Sequence, residues 1–262
     1  PHVENDIFLG FLVDKLWQNQ WFGINFKDFS TLDPNNIGDE EFYKKFYSIL
    51  YDQFPTYDSL PAEWRKAKIE NTQDIFFQCI DKSSILSIGA GTGFVEETLH
   101  SLFVARGQVP SLSAIEPNVP KEYWPKNSQY QFIQGYFPDV VKGQFFDLAY
   151  AVNIDYCFTD AEYLHFLRSI LDFGISDLLL AGLDTMKHSH GGSIRRSFKN
   201  HVRTVLARAH LSTRKQFWGY LRSLDDQIIL LTQAGFKDIQ VGQHNFSGDS
   251  WIRASAICSD GH

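Results

Sequence analysis

The chain is 262 residues long, enough for one large domain or for a domain carrying a lid. Apolar side chains make up 44% of it, which supports a full core and excludes a disordered chain. The formal net charge of −7 excludes general affinity for nucleic acid, and no apolar run approaches the ~18 residues that would span a membrane.

Near the start, Glu4, Asn5 and Asp6 interrupt the apolar residues, and no basic stretch precedes them, so no signal peptide is read. Cys79, Cys157 and Cys258 are odd in number, widely spaced, and match no disulfide or metal pattern. A reducing, cytoplasmic setting is the expectation.

Residues 4–54 read as mostly helical. Phe8, Phe11, Leu12, Leu16 and Trp17, then Phe42, Tyr43, Phe46, Tyr47, Leu50 and Tyr51, recur at spacings of three and four. The run Asp33-Pro34-Asn35-Asn36-Ile37-Gly38 separates them, and Asp39 can cap the second helix. Residues 1–61 are therefore expected to form a helical cap. Its aromatics either wall a pocket or form a homodimer surface.

From residue 62 onward a helix leads into alternating strands and helices. Strands are expected near Ile85, over 112–115, 130–133, 146–152 and 177–183, with helices over 161–171 and 223–234. Gly235 suits the end of the last helix. Two final strands, 239–243 and 251–258, are joined by a short link. Five strands with helical crossovers imply a parallel, doubly wound sheet, and the closing pair adds an antiparallel member.

The run Ser84-Ile85-Leu86-Ser87-Ile88 ends in Gly89-Ala90-Gly91-Thr92-Gly93, and an amphipathic segment begins at Phe94. That pattern reads as strand, tight turn, helix. Glycine lets the backbone turn sharply and come close to a ligand. The helix start offers unpaired N–H groups to polar or anionic atoms. A dinucleotide turn requires G-x-G-x-x-G or Ala at the last position. Phe94 stands there, so the spacing is G-x-G-x-G.

This turn resembles motif I of the class I S-adenosylmethionine (SAM) dependent methyltransferases. The order of elements over 62–258 resembles their seven-stranded, Rossmann-like domain. The resemblance implies SAM as cofactor and S-adenosylhomocysteine (SAH) as product. It places Ser87, Gly89, Ala90, Gly91 and Gly93 at the cofactor. Glu116-Pro117, after the second strand, would meet the ribose, because a carboxylate there can accept from two hydroxyls. Tyr136 and Phe137, after the third strand, would cover the adenine. Asn153, after the fourth, matches the Asn of the Asn-Val-Leu-His-His pattern in small-molecule methyltransferases. Ser87 departs from the acidic residue usual in strand one, and Asp172-Phe173-Gly174 departs from the usual Pro-Gly-Gly turn.

Methyl transfer needs a nucleophile held in line with the methyl and kept from water, with a base if the nucleophile is a hydroxyl. Asp155, Tyr156, His188 and His190 are the candidates. Asp155 and Asp184 follow neighbouring strands, which resembles the catechol-type methyltransferases whose carboxylates hold Mg²⁺; the Asp-Asn pair that this resemblance implies is absent, since Thr185 follows Asp184, and no metal is expected.

From Lys187 to Arg222 stand nine Lys and Arg and no Asp or Glu. This block reads as a basic helical lid inserted after the fifth strand, with Ile194, Phe198, Val202 and Val205 on its apolar face. Arg195, Arg196 and Lys199 would bind an anionic acceptor. The reaction expected is methylation of a small anionic or aromatic molecule, with oxygen weakly preferred. A nucleic-acid methyltransferase and a SAM-binding protein that does not methylate remain open alternatives.

Overall fold

The computed structural model describes residues 14–120, 123, 130–183, 215–244 and 248–256. A seven-stranded sheet forms the centre. Its strands are β4 (Ser84–Ile88), β5 (Ser111–Ile115), β6 (Gln131–Ile133), β7 (Leu148–Val152), β8 (Asp177–Leu183), β10 (Asp238–Gln243) and β11 (Ser250–Ser255). Their spatial order is β10-β11-β8-β7-β4-β5-β6. Strands β4 to β8 pair in parallel, and β11 lies antiparallel to both β8 and β10.

Alternation along the strands splits the core between the two faces, as a period of two requires. Ile85, Tyr150 and Leu179 face α1 (Glu40–Gln53), α2 (Ala62–Cys79) and α3 (Phe94–Ala105). Leu86, Ala149 and Leu180 face α4 (Asp160–Asp172) and α5 (Leu224–Ala234). Asp39 caps α1 by accepting from Phe42 N at 2.8 Å. Thr159 with Glu162 and Ser223 with Asp226 close capping boxes on α4 and α5. Gly235 ends α5 in a left-handed conformation.

The N-terminal region differs from the expected helical cap. Among its described residues α1 is the one α-helix, with short 3₁₀ turns at Phe26–Asp28 and Tyr57–Ser59. Leu16 and Trp17 lie in β1 (Asp14–Gln18), which pairs antiparallel with β9 (Gln216–Leu221). Then β2 (Gln20–Trp21) and β3 (Ile24–Asn25) form a hairpin whose turn puts Phe22 and Gly23 both at positive φ. That geometry suits the right-handed twist of a two-residue hairpin. Phe8, Phe11 and Leu12 lie outside the described residues.

The basic block needs the same correction. Its last residues are not helical lid but strand β9 and the buried Arg222. The part of the block expected to carry the apolar face, from Ile194 to Val205, lies outside the described residues. No described helix is long and apolar enough to cross a membrane.

Candidate functional site

The order of the parallel strands reverses between β4 and β7, and open sheets bind ligands beyond the strand ends at such a switch point. A cavity of about 920 Å³ opens there, at the upper end of the roughly 300–1,000 Å³ typical of small-molecule sites. The turn after β4, Glu116 after β5, Tyr136 and Phe137 after β6, and Asn153 after β7 all line it. Residues expected from separate strand ends thus share one space.

The glycine turn is held from two sides. Gly89 N and Ala90 N donate to the carbonyl of Ile115 at 2.9 and 3.0 Å. Gly91 N donates to Glu116 Oε2 at 2.9 Å, and Asn118 N donates to Glu116 Oε1 at 2.8 Å. A carboxylate has about four lone-pair sites, so Glu116 keeps acceptor capacity toward the cavity. Burial raises its carboxyl above the ordinary range, against the pull of those N–H donors. Gly91 has φ +58°, and a Cβ there would stand 3.3 Å from the Tyr47 hydroxyl. Backbone conformation and space both favour glycine.

Ser87 lines the cavity, but its hydroxyl does not bond a turn N–H. It donates to Glu96 Oε1 at 2.6 Å, and the Tyr150 hydroxyl donates to the same oxygen at 2.8 Å. Glu96 lies in the first turn of α3 and is buried. A carboxylate therefore does stand beside β4, delivered from the helix. Across the cavity, α2 supplies Lys68. With the Asn153 amide nitrogen facing the Gly182 carbonyl, its oxygen accepts from Lys68 Nζ at 2.9 Å. Burial pulls the Lys68 amine down to about 8, against the charges of Asp249 and Glu96.

Aromatic rings form the remaining wall. Trp21, Phe22, Tyr43, Tyr47, Trp64, Tyr156 and Trp218 all line the cavity. Trp218 stacks on Phe26 with centroids 5.1 Å apart and on Tyr156 at 5.9 Å. Trp21 stacks on Phe46 at 4.9 Å. The β1–β9 ladder and the β2–β3 hairpin carry Trp218, Trp21 and Phe22, while α1, α2 and the turn after β7 supply the other rings. Burial raises the Tyr43, Tyr47 and Tyr156 hydroxyls well above the usual tyrosine range and pushes Cys157 up to about 12. Raised in this way the hydroxyls stay protonated near neutral pH, and Tyr156 lines the wall as a hydrogen-bond donor.

Asp155 is not brought to the wall. Its carboxylate accepts from Gln227 Nε2 at 2.7 Å, and its carbonyl accepts from Arg222 Nη1 at 2.6 Å. The residue is buried in the contact between β9, α5 and the turn after β7. His188, His190, Arg195, Arg196, Lys199 and Asp184 lie outside the described residues. Lys68, Glu96, Trp64 and His165 line the cavity without any sequence expectation. For Glu96 a signal existed, a charge two residues into the apolar start of a helix.

No protein-family model matches the chain, and no curated protein matches it in sequence. Solved structures do. Human N-acetylserotonin methyltransferase in complex with SAM superposes with a TM-score of 0.52 at 15% identity, over 83% of this chain and 56% of that one. A putative O-methyltransferase from Nostoc punctiforme gives 0.54 at 15%, over 82% and 60%. Magnesium protoporphyrin IX methyltransferase from Synechocystis, with bound SAH, gives 0.55 at 11%, over 84% and 100%. The fold is that of the SAM-dependent methyltransferases. The chain spans a little over half the length of the first two. The methyltransferase fold fits the strand order found here, with the glycine turn following the central strand β4.

Proposed function

We propose that the chain transfers the methyl group of SAM to a small aromatic acceptor, with a hydroxyl as the preferred nucleophile. One observation carries this reading. The glycine turn, Glu116 and Asn153 converge on a single cavity whose far wall is built of aromatic rings. The cavity is also chemically suited to the cofactor. Glu96 Oε2 is a buried acceptor without a hydrogen-bond partner, and Glu116 retains acceptor capacity where two ribose hydroxyls would lie.

When bound, SAM supplies an electrophilic methyl on a sulfonium, so no covalent intermediate with the protein is required. What remains for the protein is to bind, orient and exclude water. The turn and Glu116 would fix the nucleoside end. Trp21, Trp64, Tyr156 and Trp218 would hold a flat acceptor by stacking and keep water from the reacting atoms. The neutral Tyr43 and Tyr156 hydroxyls would orient a polar substituent by donating to it. An anionic acceptor rests on Arg195, Arg196 and Lys199, and substituting Arg195 and Arg196 by Ala tests it through the acceptor KM.

Calorimetry with SAM and SAH tests the cofactor, and mass spectrometry of a panel of aromatic hydroxy compounds tests the transfer. Failure of both ligands to bind refutes the reading. Binding without turnover on any acceptor favours a SAM-binding protein that does not methylate. Label entering RNA or DNA favours the nucleic-acid alternative.

A further inference from the structure

Glu96 and Lys68 carry opposite charges in the same cavity, Glu96 buried and Lys68 half-buried, yet they do not pair with each other. Each feels the other's charge, but no direct ion pair joins them among the described residues. Glu96 is 1% exposed. Its Oε1 accepts from Ser87 and Tyr150, while Oε2 has no hydrogen-bond partner. A buried carboxylate oxygen left unpaired is costly, and native structures seldom leave one without a reason. An ammonium carries three N–H donors. Asn153 engages one of those on Lys68, and the Nζ lies 5.8 Å from the Trp64 ring centroid. The cavity thus presents an acceptor on α3 and a cation on α2 that do not pair directly.

We propose that Glu96 and Lys68 form a subsite for a zwitterionic α-amino acid group, Glu96 accepting from its ammonium and Lys68 donating to its carboxylate. This rests on the reading of the cavity as a SAM site, since the amino-acid end of SAM is the zwitterion available. The arrangement answers the loss of the strand-one acid at Ser87. The charge is moved from β4 to the first turn of α3, and the Ser87 hydroxyl orients it. Lys68 gives the carboxylate a counter-charge, and its bond to Asn153 ties that end of the ligand to the tip of β7.

The test compares SAH with 5′-methylthioadenosine, which has the same nucleoside and thioether but no amino-acid group. Calorimetric titrations use wild type, Glu96→Gln and Lys68→Met, with circular dichroism to check folding. Wild type is expected to bind SAH at least about tenfold more tightly than methylthioadenosine, as two charge-assisted hydrogen bonds would provide. Each variant is expected to lose about tenfold or more for SAH and to keep its affinity for methylthioadenosine; Lys68→Arg should recover part of the loss. Wild-type affinities that are equal for the two ligands overturn the subsite and leave the cofactor reading standing. Variants that bind SAH like wild type, or that lose both ligands in proportion, overturn it too. If wild type binds neither ligand, the cofactor reading itself fails. Because the wild-type comparison alone can decide, a variant that does not fold leaves the proposal testable.

Discussion

Arg222 Nε donates to Asp160 Oδ1 at 2.9 Å, and the same guanidinium donates to the carbonyls of Asp155 and Phe158, both at 2.6 Å. Its side chain is fully buried and lies over the Tyr163 ring at 4.8 Å. The end of β9 is thereby locked to the turn that follows β7. Removing the cation leaves a carboxylate and two carbonyls short of a donor. Arg222→Met is expected to cost about 3–5 kcal/mol in urea unfolding. Arg222→Lys should recover little, because an ammonium cannot reproduce the planar fork. A loss below about 1 kcal/mol, the value of an exposed pair, would overturn this role.

Burial raises the Asp155 carboxyl to about 6, even though Arg222 and Gln227 pull it down. In the unfolded chain the group loses its proton near 3.8. Between these values the folded state binds more protons, so stability falls as pH rises from about 3.8 to about 6. Asp155→Asn keeps an acceptor for Gln227 and removes the ionisation. Its unfolding free energy relative to wild type should climb through that window by ~3 kcal/mol and level off above it. Because Asp155 is off the cavity wall, kcat should stay within about twofold. A large fall in kcat at unchanged stability would restore it as a catalytic base.

Valine at position 91 would adopt φ +58° only with strain, and its side chain would press on the Tyr47 hydroxyl. It would also occupy the face of the turn proposed to meet SAM. Gly91→Val is expected to abolish SAH binding in calorimetry while leaving most of the far-ultraviolet dichroism intact. SAH affinity equal to wild type would place the cofactor elsewhere.

Trp218 is buried between Phe26 and Tyr156 and faces the cavity. Trp218→Ala removes an aromatic surface from the proposed acceptor side and none from the glycine turn. The acceptor KM should rise about tenfold or more while SAH affinity holds within about twofold. Stability should drop by about 3–5 kcal/mol from the cavity left behind. A loss confined to SAH affinity would show that the tryptophan belongs to the cofactor half.

The central sheet was legible because its signals are local. Ile85, Leu86 and Ile88 alternate faces, Gly89 to Gly93 turn, and Phe94 begins a helix, all within eleven residues. Asp39 and Gly235 mark helix ends by side-chain acceptor and backbone freedom, again locally. The N-terminal strands were not legible, because the partner of β1 is β9 near the other end of the chain. Leu16 and Trp17 carry apolar spacing that suits a helix until that ladder is formed. The β2–β3 turn uses Phe22 where Asn or Asp is the usual signal. At the site, strand-end residues followed from topology. Glu96 carried only its place in the apolar start of α3, and Lys68 carried no signal, because nothing in the polar run of α2 distinguishes a charge facing solvent from one facing a cavity.

In the β1–β9 ladder Asp14 meets Leu221, so the contact closes a loop of most of the chain. Such a contact carries a large ordering cost and a high contact order. The sheet can assemble from nearer neighbours first, leaving the aromatic wall as the last part to form. A chain shortened past Gln18 would retain the sheet strands and the glycine turn while leaving β9 with a bare edge. Exposed edges invite pairing with another copy. Loss of the wall would then register as self-association as well as a change in acceptor binding.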